Sequence, residues 1–353
     1  MDLNIIHQFF KIGKILALTP TTLHNYSVSL WQRNYTISVF LFFTVGAAAA
    51  LQFCWAEYLS YVNPIELVLW IVTDVIRYVH NLYIFIFVMI LKRKFWFILI
   101  ANLKKAKFRI NQSEYKFLYC TFIVTYVSFF VIISCIIYVC FQLDDWYTCI
   151  RYYFVEFVQI FTQFFYLLFA PIVLKMILLR YQHFKNTLHI QKTWHQIKTD
   201  QLRLKQTVDT FCEIFGGTIL LNIIYNSSKS LIYLNKLIKN TKSWSSGSPI
   251  LILMKLTQIG IIGLFWGLIF WVIFLCDAIV SENEEIRKKL YKMLHVDPIF
   301  YENKQFEKFL KTVLTNGPKF SAARFFSIER STIFQIMNSI VTFLIVVIQI
   351  KSN

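Results

Sequence analysis

Acidic side chains are scarce in this chain: 19 Asp and Glu stand against 36 Lys and Arg, a formal net charge of +17. Glycine and proline are scarce as well, at 9 and 6 of 353 residues, which excludes collagen-like, linker-rich and low-complexity classes. The motifs of nucleotide and metal chemistry are missing: no Walker loop, no dinucleotide-binding glycine pattern and no His-Glu-x-x-His. His183, His189 and His195 recur at six-residue steps, which does not bring them to one metal on one helical face. With no hydrolase or transferase constellation, neither an enzyme nor a cofactor is expected. The seven cysteines fall mostly in apolar runs, and only Cys140 and Cys149 flank a loop across which they could pair.

What is abundant is apolar and aromatic surface. Hydrophobic residues make up 57% of the chain and aromatics 18%, more than a water-soluble surface could hide, so a polytopic membrane protein is expected. Uninterrupted apolar runs place spanning helices at Tyr35–Trp55, Ile65–Leu91, Phe117–Phe141, Tyr152–Leu179, Val208–Leu237, Ile250–Cys276 and Arg330–Ile350. The fifth is diluted by Asn222, Asn226, Ser227, Ser228, Lys229 and Ser230, a load that only a helix facing other helices or a cavity carries. The opening MDLNIIHQFFKIGKIL is a short amphipathic stretch without a small-residue cleavage site, so the first span is expected to act as its own targeting signal.

The cations gather in loops. Lys92, Arg93, Lys94, Lys104, Lys105, Lys107, Arg109 and Lys116 lie between the second and third spans, and Arg180, Lys185, Lys192, Lys198, Arg203 and Lys205 between the fourth and fifth. The loops on the other side are short and poor in cations: Glu57–Pro64 has none, Gln142–Arg151 has only Arg151, and Lys239 and Lys242 sit in the third. This bias places the amino terminus in the cytoplasm and, after seven spans, the carboxyl terminus outside, and it accounts for the basic balance without nucleic acid. The sequons at Asn25, Asn34, Asn111 and Asn226 then lie in cytoplasm or membrane, consistent with this orientation. Seven helices in that orientation, without an Asp-Arg-Tyr or Asn-Pro-x-x-Tyr motif, argue against a G-protein-coupled receptor.

Three patterns carry functional information. In the last span Ser331, Gln335, Asn338, Thr342 and Gln349 fall at steps of three, four or seven and line one face; they either hydrogen-bond within a monomeric bundle or wet a pore between copies. Between the last two spans, Phe309, Leu310, Val313 and Leu314 form the apolar side of an amphipathic helix ended by Asn316, Gly317 and Pro318. Upstream, the spacing pairs Glu284 with Lys288 and Glu285 with Lys289, as a solvated helix face or as the lining of an inner vestibule. Gly263 and Gly267 in the sixth span have the small-xxx-small spacing of close helix packing.

The run FSAARFFSIERSTIFQIMNSIVTFLIVVIQI resembles the signature of insect gustatory receptors, relatives of insect odorant receptors. Their last helix typically ends in Thr-Tyr, five apolar residues and Gln-Phe; here Thr342 and Phe343 precede Leu344 to Ile348, then Gln349 and Ile350. Phe320, Ser321, Ala322, Phe325 and Phe326 fit the family's approach to that helix, and VDTFCEIFGGTILL, from Val208, is similar to the start of its fifth helix. Phe343 and Ile350 depart from the pattern, removing a hydroxyl and the aromatic ring that in the family helps close the outer end of the pore.

The resemblance implies an all-α, ligand-gated, nonselective cation channel in the plasma membrane of chemosensory dendrites, a homo- or hetero-tetramer of gustatory subunits around a central pore. It divides the chain into a cytoplasmic segment 1–34, spans one to six over 35–302 with ligand binding in their outer half, and 303–353 with an anchor helix and the pore helix. Gln349 and Ile350 carry over as gate positions, with Thr342, Asn338 and Gln335 further in. The expected pocket for a small organic tastant draws on Trp70, Asp74, Tyr138, Tyr152, Glu156, Gln159, Asn226 and Gln258. Asp74 and Arg77, one turn apart, either neutralise each other or serve the ligand, which could be cationic or hydroxylated. The competing readings are a metabotropic receptor, disfavoured by orientation, and a secondary transporter, for which no internal repeat is found.

Overall fold

The computed structural model describes residues 3–15, 17–19, 30–61, 64–105, 112–143, 146–188, 194–239, 248–296 and 317–352. Within them the chain is almost wholly helical: α1 (Leu3–Ile15), α2 (Leu30–Tyr61), α3 (Pro64–Leu82) running into a π-helix (Tyr83–Leu91), α4 (Arg93–Lys105), α5 (Gln112–Leu143), α6 (Trp146–Thr187), α7 (Trp194–Lys239), α8 (Pro249–Val296) and α9 (Arg330–Ser352). A two-stranded hairpin, β1 (Ser321–Ala322) and β2 (Phe326–Ser327), precedes α9. Pro64 and Pro249 open α3 and α8, at the first-turn position where a missing N–H costs nothing.

Each expected span lies inside one helix or, for the second, inside α3 and the π-helix. Five stretches among the described residues, on α3, α5, α6, α7 and α8, are long and apolar enough to cross a membrane. The diluted fifth run is a continuous helix, and its Asn222, Asn226, Ser228 and Ser230 point inward, as that load requires.

The bundle is built round α6, which packs against α2, α3, α5, α7 and α8. Every residue from Thr162 to Leu174 is buried, which suits a helix apolar on all sides. By contrast α5 turns Val124, Val127, Phe130 and Val131 outward, a surface suited to lipid.

The loop expected after the second span is instead partly helical. In α4 cations at both ends flank a buried stripe of Trp96, Leu99, Ile100 and Leu103 at helical spacing, and α4 packs on α7. The amino-terminal segment is likewise tied into the bundle. Phe9 stacks on Phe169 at 4.4 Å and meets Phe122 at 4.8 Å, while Phe10 stands edge-on to Trp96 at 5.5 Å. The Tyr166 hydroxyl donates to the Leu18 carbonyl at 2.5 Å, and Thr19 to that of Phe10 at 3.1 Å, pinning the chain after α1.

Beyond their membrane-length parts, α6, α7 and α8 continue side by side. Here the expected four-residue pairs give way to others: Glu284 takes Arg287 at 2.6 Å, while Glu282 and Glu285 reach across to Lys185 on α6 at 2.6 and 2.7 Å. Gln201 donates to Asn283 at 3.1 Å beneath them. Glu282 and Glu285 therefore join α8 to α6, while Glu284 is paired within α8. The amphipathic run Phe309–Leu314 lies outside the described residues, as does the side chain of Cys149. Gly263 and Gly267 do not mark a close helix contact within the chain, since a Cβ on either would meet nothing within 4 Å.

Candidate functional site

A charged layer sits inside the helix bundle. Asp74 lies ten residues after the start of α3, Glu156 ten after the start of α6, and Lys229 ten before the end of α7. At 1.5 Å per residue each is about 15 Å from the same end of the bundle. Arg77, one turn below Asp74, bonds it at 2.7 Å and also forms an ion pair with Glu156. Lys229 lies 3.6 Å from Glu156, and its ammonium stands 5.0 Å from the centre of the Trp70 ring and 6.0 Å from that of Tyr225.

Two acids and two bases thus cancel, which is what permits four ionisable groups at membrane depth. Asp74 and Arg77 form an ion pair on one turn, and of the expected patch Glu156 joins it. Gln159 is buried one turn from Glu156, and buried Asn226 donates to the Asn222 carbonyl at 2.8 Å. Tyr138 is half-exposed on the outward side of α5, and Gln258 is partly buried on α8; the contacts that define the layer involve neither. The side chain of Tyr152 lies outside the described ones. Lys229 and Tyr225 are the members that sequence reasoning missed. A cation inside an apolar run, with Asn222 seven residues away on the same face, was the available signal.

The π-helix end of α3 is joined to the approach of α9. Lys92, just after the π-helix, bonds the Glu213 carboxylate at 3.1 Å and the Glu213 carbonyl at 2.7 Å. Arg324, in the hairpin turn, bonds the other oxygen of Glu213 at 2.9 Å. Ala323 and Arg324 hold positive φ, 50° and 66°, and Phe325 N–H donates to Ala322 at 2.9 Å, the geometry of a type I′ turn. Gly216 admits the hairpin: a Cβ there would come within 2.8 Å of the Ser321 carbonyl oxygen. Gly217 admits the Tyr83 ring of the π-helix in the same way. Arg330, the first residue of α9, bonds Asp277 on α8 at 2.6 Å.

One narrow face of α9 packs, while the rest of the helix, including Phe334, Met337 and Val341, is exposed. Thr332 and Ile340 are buried and Ile333 and Ile336 pack on the core, all toward α7 and α8. Ser331, Gln335, Asn338, Thr342 and Gln349 are exposed. At 100° per residue these five fall within an arc of about 60°, on the side of the helix away from the packed one. Ser331, Gln335, Asn338 and Thr342 therefore lie off the face of α9 that packs within the chain. The side chain of Ile350 lies outside the described ones.

The sequence from residue 10 to 353 matches the model of the family described as 7tm Chemosensory receptor. No curated protein sequence matches the chain. Its fold is similar to that of the insect olfactory receptor OR5 from Machilis hrabei, with a TM-score of 0.67 at 12% identity over 98% of either chain. It is also similar to that receptor in complex with eugenol, with a TM-score of 0.63 at 12% identity over 99% of this chain and 100% of the other. The carboxyl-terminal signature, the helical bundle with membrane-length apolar helices and a family match spanning nearly the whole length converge: the chain belongs to the 7tm chemosensory receptor family.

Proposed function

We propose that this receptor is a ligand-gated, nonselective cation channel of the plasma membrane, activated by a small organic tastant, in which four subunits surround a pore lined by α9. Seven spans carry the amino terminus inside and the carboxyl terminus outside. The observation that carries this reading is the polar stripe of α9, directed away from the helices of its own chain. A stripe of amides and hydroxyls at membrane depth requires water or partners, and copies meeting around an axis supply both. Gln349 is the outermost of the stripe's residues, where a ring of glutamines bonding one another holds the pore shut and dilation admits hydrated cations. No charged side chain interrupts the stripe from Gln335 to Gln349, in keeping with weak ion selectivity.

The ligand pocket is the charged layer with Trp70, Gln159 and Asn226. The eugenol complex of the Machilis receptor supports a small-molecule ligand on this fold. Movement of α3 reaches the pore through Lys92, Glu213 and the hairpin. Cysteines substituted singly at Gln335, Asn338, Thr342 and Gln349 test the arrangement. They should react with small cationic thiol reagents applied from outside, with Asn338 needing an open pore and Gln349 not. A cysteine at Ile340, on the packed face, should stay protected. Equal labelling round the helix, or a purified particle without fourfold symmetry, sinks the channel reading.

A further inference from the structure

Below the charged layer the same three helix faces carry a second polar tier. On α6 the stripe runs Glu156, Gln159, Gln163; on α7 Lys229, Asn226, Asn222; on α3 Asp74, Arg77, Asn81. Each ends seven residues from its charged member, two turns or about 10 Å deeper. Gln163, Asn222, Asn81 and neighbouring His80 are 0%, 1%, 4% and 0% exposed. Asn222 and His80 meet directly, Nδ2 to Nε2 at 3.2 Å, which joins α7 to α3. Yet both side-chain atoms of Gln163, the Oδ1 atoms of Asn222 and Asn81, and Nδ1 of His80 have no hydrogen-bond partner. Buried polar atoms left in this state at membrane depth are costly, and here they are gathered on three facing helices.

The chemistry of the unused atoms is specific. Three are carbonyl oxygens that accept and one is an amide nitrogen that donates, while Nδ1 of His80 donates or accepts according to its tautomer. A carboxylate would leave the three oxygens unmet, and an ammonium would leave the amide donor unmet. Either would also bring an unbalanced charge beneath a layer whose charges already cancel. A hydroxyl both donates and accepts and brings no charge. We propose that Gln163, Asn222, His80 and Asn81 form a binding site for the hydroxyl groups of an uncharged small molecule, entering between the charged residues above. This rests on the charged layer belonging to the ligand pocket, and it narrows the ligand from cationic or hydroxylated to neutral and hydroxylated. Water offers the same hydroxyl chemistry, so the test must separate the two sources.

The full chain, purified in nanodiscs, is heated with D-glucose or myo-inositol, and with D-glucosamine and D-gluconate as charged counterparts of glucose. A specific site gives a rise in unfolding temperature that saturates with probe, whereas general exclusion of a solute gives one that does not. The expected result is a saturable rise with at least one uncharged probe and none with the charged pair. The half-saturating concentration should increase at least tenfold in Gln163→Met, Asn222→Leu and Asn81→Leu, and stay unchanged in Val127→Ala on the outward face of α5. Three variants on three helices keep the test open if one fails to fold. Saturable binding of a charged counterpart equal to glucose, or binding indifferent to every tier substitution that folds, overturns the proposal. So does the absence of any saturable shift, which leaves water alone in the tier. Because the readout needs no conduction, the pore reading and this site fail separately.

Discussion

A methyl group on Gly217 would overlap the ring of Tyr83: α7 and the π-helix that ends α3 touch through a glycine surface. Gly217→Ala should therefore destabilise the protein by about 1–3 kcal/mol, the usual cost of overpacking. Tyr83→Ala in the same chain should recover most of that loss. Unfolding temperatures of the two single variants and the double variant measure it; simple additivity would mean that the ring moves aside freely.

Glu213 serves two cations of different standing. Arg324 is 86% exposed, so its bond belongs with surface pairs worth about 0–1 kcal/mol. Lys92 is mostly sheltered and bonds both the carboxylate and the carbonyl of Glu213. Lys92→Ala should lower thermal stability more than Arg324→Ala, and raising the salt concentration should weaken only the Arg324 contribution. Equal losses would mean that the hairpin turn is held chiefly by charge.

Much of this architecture was legible in the sequence, because spanning length and apolar continuity are local properties. The Asp74–Arg77 pair was legible for the same reason, both partners lying on one turn of one helix. Lys229 was not read as a partner of Glu156, since they lie on different helices and only packing brings them together. The stripe on α9 could be read from spacing alone; which side packs depends on Thr332, Ile336 and Ile340 finding α7 and α8. The helix α4 was hidden because its short apolar run is flanked by cations that read as a loop.

Removing one member of the charged layer should cost more than removing a surface pair. Arg77→Ala leaves Asp74 and Glu156 facing each other in the membrane, for a loss of about 3–5 kcal/mol. Surface expression and the monodispersity of the purified protein should fall together. Glu156→Gln should follow, because it strands Lys229. Asp74→Asn should be milder, since Arg77 retains Glu156. If Arg77→Ala expresses normally with its unfolding temperature unchanged, the layer is open to water and its charges are not sequestered.

Near the carboxyl end of α9, Gln349→Ala should raise unliganded current in cells expressing the receptor. A hydrogen bond worth about 1 kcal/mol in the shut state corresponds to roughly a fivefold shift in open population. Ile350→Phe, restoring the family's aromatic ring, should lower that current. Unchanged current in both variants places the gate elsewhere on the helix.

Epitopes report orientation directly. A tag before Tyr35 should stain permeabilised cells only, and one after Asn353 should stain intact cells. The reverse pattern would overturn the charge-bias topology.

The cancelling charges also set an order on the birth of the molecule. Ribosomes deliver α3 first, with Asp74 and Arg77 already balanced on one turn. When α6 follows, Glu156 brings a second carboxylate to the single guanidinium of Arg77, leaving one net negative charge in the bundle. Only the arrival of Lys229 on α7 discharges it. A nascent chain halted between Thr187 and Trp194 would thus carry one unbalanced acid in the membrane, a mark by which the endoplasmic reticulum could recognise an unfinished receptor.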